Sequence, residues 1–116
     1  MNAVLGTIDY GLATVISSIH PPVIKTMKTK ANNGTLAMGL LAAKDSNGDL
    51  VAYVPAGAAP LNVCVGVVAS AIDTVSDDAA MVLRHGTVVR DLLKVGGAQA
   101  NAAAITVLET LGIFAV

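Results

Sequence analysis

The sequence predicts an α+β domain that is mainly β, with one principal helix near its C-terminus. Apolar, β-branched runs of strand length recur along the chain and are separated by turn residues. The pair Asn47-Gly48 separates two of these runs, and Asn-Gly is a strong hairpin signal because both residues tolerate positive φ. Only Ala98–Leu111 combines an Ala-rich composition with apolar residues spaced along one helix face.

The composition indicates a single domain that is covered in part by partner subunits. The chain has 116 residues, of which 54% are hydrophobic and only 13% are charged. An average soluble domain has about 25% charged residues. A small monomer with so little charge leaves apolar surface exposed, so we expect contacts with other subunits.

Two classes of partner are not expected from the composition. The formal net charge is −1, which argues against the basic surface of a nucleic-acid-binding protein. No apolar run reaches the roughly 18 residues that a membrane-spanning helix needs. The sequence therefore predicts neither a nucleic-acid partner nor a membrane partner.

The first segment, Met1–Thr29, differs from the rest of the chain. It is rich in β-branched residues without a clean period, and it contains the pair Pro21-Pro22. Adjacent prolines remove two backbone donors and exclude a central strand at that point. We therefore predict an extended N-terminal arm over residues 1–29, with at most one edge strand, followed by a domain over residues 30–116.

The first part of the domain predicts a hairpin. Asn32–Gly34 is a turn signal, and Thr35–Ala43 is an apolar run that suits a buried strand, although its Leu and Ala content also permits a helix. Asp45–Asp49 is expected to close a hairpin, with Leu50–Val54 as the return strand.

The stretch Leu61–Arg90 predicts the central strands. Two β-branched runs flank a polar connection at Asp73–Asp78. In the second run, Ala79–Arg90, alternation divides the side chains into a predicted core face and a wetter face. The core face is predicted to hold Met81, Leu83, His85 and Val89, and the wetter face Val82, Arg84, Val88 and Arg90.

The C-terminal part predicts a helix followed by a strand. Arg90–Gly97 is expected to leave the sheet through a helical turn at Asp91–Lys94. Ala98–Leu111 is the predicted helix, and Gly112 stands where a left-handed C-terminal cap favours glycine. Ile113–Val116 is predicted as a short terminal strand.

The residues that could support catalysis are few. Cys64, His85 and Asp73 are a nucleophile, a base and an orienting acid only if the fold brings them together, and their spacing does not favour this. We interpret Cys64 as a buried structural thiol and His85 as a buried, hydrogen-bonded residue. Gly86 would permit a tight bend or a bulge. No catalytic residue and no cofactor are predicted.

A metal site is not predicted either. Asp45, Asn47 and Asp49 carry the oxygen ligands that calcium prefers. The glycine at position 48 is two places early for an EF-hand loop that begins at Asp45, and residue 56 is alanine where that loop needs glutamate.

Several short segments, in this order and spacing, resemble the lambda-type bacteriophage head decoration protein family. They are Thr35–Leu41, Asp45–Ala52, Val65–Val68, Val82–Gly86 and Leu108–Ile113. The resemblance covers about Thr35 to Val116. The N-terminal arm departs from the family, whose arm is usually short, whereas this one is long and contains Pro21-Pro22.

The resemblance implies a small β-barrel-like domain that acts as a capsid cement protein. It implies a homotrimer on local threefold axes of the expanded head, made in the host cytoplasm and bound to the major capsid protein on the outer surface of the virion. The arm is expected to add to a sheet edge of the capsid. Its expected capsid-binding residues are Val15, Ile16, Ile19, Pro21, Pro22, Val23 and Ile24.

Two other functions remain open from the sequence. A trimeric fibre-head or adhesin-type binding module would have a similar composition, although such heads usually display aromatic anchors, and this chain has only Tyr10, Tyr53 and Phe114. A small enzyme would have to use Cys64 or His85.

Overall fold

The computed structural model describes residues 16–17 and 22–116, and this part of the chain is mainly β with one α-helix, as the sequence predicted. The strands in chain order are β1 (Ile16–Ser17), β2 (Val23–Lys28), β3 (Thr35–Leu36), β4 (Leu41–Lys44), β5 (Leu50–Ala52), β6 (Cys64–Val68), β7 (Ile72–Asp73), β8 (Ala79–Val88), β9 (Lys94–Val95), β10 (Ala98–Gln99) and β11 (Ile113–Ala115). A 3-10 turn covers Arg90–Leu92, and the helix α1 covers Ala102–Thr110.

Strand β8 organises the principal sheet because four other strands pair with it. Along its first half it is antiparallel to β2 and to β6, and β4 and β5 extend the sheet beyond β6. Along its second half it is antiparallel to β1 and parallel to β11. Thr87 and Val88 pair with both β1 and β11, so the end of β8 lies between those two strands.

The sheet is not closed into a barrel, although the resemblance implied a barrel-like sheet. One bridge links its edges: Thr29, just after β2, is bridged to Leu50 of β5, and the Lys30 N–H donates to the Leu50 carbonyl at 3.3 Å. The first segment contributes two strands, β1 and β2, and both pair with β8, whereas an extended arm with at most one edge strand was predicted. The sheet therefore begins before the domain boundary that was predicted after Thr29.

Two hydrophobic cores lie on opposite faces of the central strands. The helix-side core joins α1 to the sheet, and its fully buried members include Leu41, Val67, Leu83, Leu108 and Ile113. The strand-side core contains no helix residue. Its members are Met27, Leu36, Leu40, Ala42, Leu50, Val68, Ala80 and Val82.

The predicted division of β8 into a core face and a wetter face is wrong. Val82 and Val88, which were assigned to the wetter face, are fully buried, and Val82 belongs to the strand-side core. Leu83 next to it belongs to the helix-side core. Because a core lies on each face, alternation along this strand does not separate buried from exposed residues. Arg84 is half-buried and Arg90 is exposed.

Gly86 lies where β8 changes the phase of its alternation. Leu83 and Val88 are five positions apart, yet both belong to the helix-side core. The pairing with β2 is irregular here, since Val23 pairs with His85 and Ile24 pairs with Leu83. Gly86 has a φ of 140°, which disfavours residues with a Cβ atom. The sequence-based expectation of a bend or bulge at Gly86 agrees with this irregularity.

The local signals in the sequence gave correct elements. Strands β4 and β5 form the predicted hairpin, and the Asp45 carboxylate accepts the backbone N–H groups of Asn47 and Asp49, both at 2.9 Å. The Asn32–Gly34 turn is also present, with Asn32 at a φ of 53°. The glycine after α1 has a φ of 85°, and the terminal strand β11 follows it.

The predicted buried strand Thr35–Ala43 is divided into β3 and β4 by a turn. Gly39 in this turn has a φ of 86° and donates its N–H to the Val68 carbonyl at 2.8 Å. Its Cα lies so close to the Leu92 carbonyl that no Cβ atom would fit. The apolar run is divided into two strands because the backbone at Gly39 lies against the segment after β8.

The helix begins later than predicted, at Ala102 instead of Ala98. Ala98 and Gln99 form strand β10, which pairs with β9 in a hairpin turning at Gly96 and Gly97. Asn101 caps the helix, since its side-chain oxygen accepts the Ala104 N–H at 3.0 Å. The helical turn expected at Asp91–Lys94 is a 3-10 turn at Arg90–Leu92.

Two alanine substitutions test this account of Gly39. Gly39→Ala should lower the free energy of unfolding by about 2–4 kcal/mol, because it combines a positive φ with a clash against backbone. Gly48→Ala should cost only about 1 kcal/mol, because Gly48 has a similar φ of 84° but open space around it. Urea denaturation measures both. Equal losses for the two variants would contradict the close approach to Leu92.

Candidate interaction surfaces

The expected capsid-binding residues are only partly within the described residues. Pro22, Val23 and Ile24 are exposed on the surface, with Val23 55% and Ile24 41% accessible. Ile16 pairs through its backbone with Val88. Val15, Ile19 and Pro21 lie outside the described residues.

Strand β2 presents an edge of the sheet, which we call the β2 edge (Pro22–Lys28). Within residues 22–116, β2 forms its ladder with β8 along one side only. Met27 is its one buried side chain, and it belongs to the strand-side core. Lys25 and Lys28 are exposed on this strand, whereas Val23 and Ile24 at its start carry no charge. Edge lysines discourage pairing with another strand, so the end of the strand at Val23 and Ile24 is the more open to a partner.

Two further apolar side chains lie near the same end of β8. Phe114 is 44% exposed and Val116 is 57% exposed. Phe114 of β11 pairs with Thr87 on one side of β8, and Val23 of β2 pairs with His85 on the other side. Neighbouring strands lie about 4.8 Å apart, so these exposed apolar residues belong to one end of the sheet.

A second surface carries no charge and is built from two segments. We call it the uncharged surface, and it consists of the loop Val54–Val63 and the segment Val95–Ala103. Most residues of both segments are exposed, and they include Val54 at 42% and Val63 at 55%. The sequence has no charged residue from Leu50 to Ile72 or from Val95 to Leu108. That signal was available in the sequence but was not used to predict a contact surface.

A groove of about 270 Å³ joins the two segments of the uncharged surface. Its lining residues come from the end of the β4–β5 hairpin, the β9–β10 hairpin and the first two turns of α1. They are Tyr53, Pro55, Val95, Ala98, Gln99, Asn101, Ala103, Ala104 and Val107.

Backbone hydrogen bonds hold the loop of the uncharged surface in a defined shape. The Val54 N–H donates to the Leu61 carbonyl at 3.0 Å, which closes the neck of the loop. Inside it, Gly57 donates to the Val54 carbonyl and Leu61 donates to the Ala58 carbonyl, both at 3.0 Å. The exposed apolar side chains of this loop are therefore presented by an ordered backbone.

Cys64 is a buried residue of β6, as predicted. It is 4% exposed, belongs to the helix-side core, and its thiol donates to the Gly66 carbonyl at 3.5 Å. Burial raises the pKa of the Cys64 thiol, and this outweighs the lowering by its backbone hydrogen bonds. A buried, protonated thiol is a weak nucleophile.

His85 is only partly buried, whereas a largely buried ring was predicted from the sequence. The ring lies directly against Gly112, where no Cβ atom would fit. His85 therefore packs where α1 ends and β11 begins.

The three residues considered as a catalytic triad have different surroundings. Cys64 lies in the helix-side core, and His85 lies against Gly112. Asp73 is exposed, and its carboxylate accepts the Val75 N–H at 3.0 Å within the turn after β7.

In residues 16–17 and 22–116, no group of three His, Cys, Asp or Glu side chains is placed to hold a metal ion. No helix in this part of the chain is long and apolar enough to cross a membrane.

Comparison with known proteins adds no relative. The chain matches no protein-family model and no curated protein sequence.

The raised pKa of Cys64 predicts a pH dependence of stability. The unfolded thiol ionises near pH 8.5, whereas the folded thiol stays protonated to higher pH. The stabilisation is therefore fully present below about pH 8.5 and is lost as the pH rises toward the folded pKa. Compared with Cys64→Ala, the parent protein should lose more unfolding free energy between pH 7 and pH 10. Parallel curves for the two proteins would contradict this prediction.

Proposed function

We propose that the chain is a bacteriophage capsid decoration protein that cements the outer surface of the head. In this function it forms a homotrimer at local threefold axes, binds the major capsid protein and stabilises the shell against internal genome pressure. The observation that carries the proposal is the β2 edge, a sheet edge in the N-terminal segment where the apolar side chains of Val23 and Ile24 are exposed. The family resemblance of Thr35–Val116 supports this class of partner.

The β2 edge suits attachment by strand addition. An extended capsid segment beside it would gain main-chain hydrogen bonds, while Val23 and Ile24 would supply apolar contacts. Removing these half-exposed side chains from water contributes on the order of 1 kcal/mol each. Ordering a chain segment costs roughly 1–2 kcal/mol per residue, so one such contact is weak. Three copies held together would bind through avidity, which suits a protein that must cover a shell at many equivalent positions.

A trimeric fibre-head or adhesin-type module is the alternative with the same composition. It would use exposed side chains to bind a host surface instead of a capsid. The two functions differ in location, because a cement protein covers the whole head whereas a fibre head occupies a few positions. Immunogold labelling of purified particles distinguishes them.

Charges on the β2 edge should weaken attachment without unfolding the domain. Val23→Asp combined with Ile24→Asp should lower the affinity for heads that lack bound decoration protein by at least about tenfold. The reason is that each carboxylate loses water at the contact without gaining a partner. Co-sedimentation with purified heads measures the bound fraction.

Val75→Asp is the matched control, because Val75 is 71% exposed in the turn before β8, which adjoins the Lys28 end of β2 and not the end at Val23 and Ile24. This variant should bind heads as the parent does. If the Val23→Asp, Ile24→Asp protein binds with unchanged affinity, the β2 edge is not the attachment site. If the parent itself fails to bind, the proposed function is rejected.

Removal of Met1–Ser18 should weaken attachment and leave the domain folded. Among the residues that the structure describes from Pro22 onward, the members of both cores begin at Met27, and we expect them to pack as before in the shortened chain. The deletion does remove β1, whose two residues pair with β8. Circular dichroism and cooperative urea unfolding should remain similar to those of the parent, while decorated heads should release their contents at a lower temperature. Unchanged heat resistance would show that the N-terminal segment does not contribute to cementing.

A further inference from the structure

The uncharged surface has the order and the extent of a small protein contact. In a contact between the loop of one copy and the segment of the next, Val54–Val63 supplies ten residues and Val95–Ala103 supplies nine, roughly half of what each side of a standard interface contains. Hydrogen bonds within the loop and the β9–β10 hairpin hold both segments in place, so little conformational freedom remains to be lost on binding.

The chemistry of the uncharged surface favours a partner that is itself uncharged there. A charged partner would lose the hydration of its charges without finding an opposite charge in either segment. A second copy of this chain meets the condition, because its own uncharged surface can lie against the first without burying any charge. Only 13% of the residues in the chain are charged, and none of them lies in these two segments. The charges that keep the protein soluble therefore lie on the rest of its surface.

The shape of the uncharged surface also fits a contact between copies. The groove of about 270 Å³ is a concave feature, and Val54 and Val63 at the two ends of the loop expose apolar side chains. A ring of three copies needs a contact between two different patches, since only a twofold contact joins a patch to itself. The loop Val54–Val63 and the segment Val95–Ala103, which both line the groove, supply two such patches.

We propose that the uncharged surface is the contact through which one copy of the chain binds the next. The loop Val54–Val63 of one copy lies against the segment Val95–Ala103 of its neighbour. This inference rests on the proposed homotrimer, and it assigns self-association to a surface other than the β2 edge.

A glutamate at Ala103 tests the contact without weakening the fold. Ala103 is exposed in the first turn of α1, where the helix dipole favours an acidic side chain. The parent protein should approach the mass of three chains in sedimentation equilibrium as its concentration rises. Ala103→Glu should weaken this association at least about tenfold, and Ala56→Glu in the exposed loop should do the same. Unfolding midpoints of both variants should match or exceed that of the parent.

The control is Asn33→Glu, which adds the same charge in an exposed turn outside the uncharged surface. It should associate as the parent does. A parent that stays monomeric up to millimolar concentration would overturn the contact, and so would unchanged association of Ala103→Glu and Ala56→Glu. Head binding by such a protein would still support the capsid function. Loss of association only in the Val23→Asp, Ile24→Asp protein would assign self-association to the β2 edge instead.

Discussion

The burial of the central strands on both faces is the constraint on which the rest of this structure depends. Val67 and Leu83 face the helix-side core, while Val68 and Val82 beside them in sequence face the strand-side core. A chain of 116 residues can cover both faces only if the sheet curls and if α1 lies across one side. The central strands therefore contain consecutive apolar residues, because neither face of these strands can accept an unpaired polar side chain.

The bulge near Gly86 allows one strand to serve two sets of partners. Before it, β8 lies between β2 and β6, and after it β8 lies between β1 and β11. The phase change keeps both Leu83 and Val88 in the helix-side core, although their spacing would place them on opposite faces of a regular strand. The N-terminal strands and the C-terminal strand are thereby joined to the same element, and β2 is left at an edge of the sheet.

The sequence predicted the features that depend on a few neighbouring residues and failed where distant segments decide. The hairpin at Asp45–Asp49 and the cap at Gly112 follow from local turn chemistry. The start of α1 was placed too early because Ala98 has high helix propensity, whereas pairing with β9 and the Asn101 cap decide it. The exposed Val23 and Ile24 were predicted as contacts because they are apolar residues of the predicted extended arm. The groove could not be predicted, because it joins segments that are far apart in the chain.

Exposed apolar surface and an open sheet edge together create a risk of open-ended association, and the charges of this chain are placed where they limit it. Lys25 and Lys28 lie on the β2 edge beyond Ile24, and the Lys28 ammonium lies 3.8 Å from the Asp49 carboxylate. Another strand could therefore pair beside Val23 and Ile24 but would meet lysines from Lys25 onward. In the proposed assembly, a closed ring would use both patches of the uncharged surface and leave neither free to extend a fibre. The few charges are then sufficient because they restrict pairing along the β2 edge, which the proposed ring contact does not use.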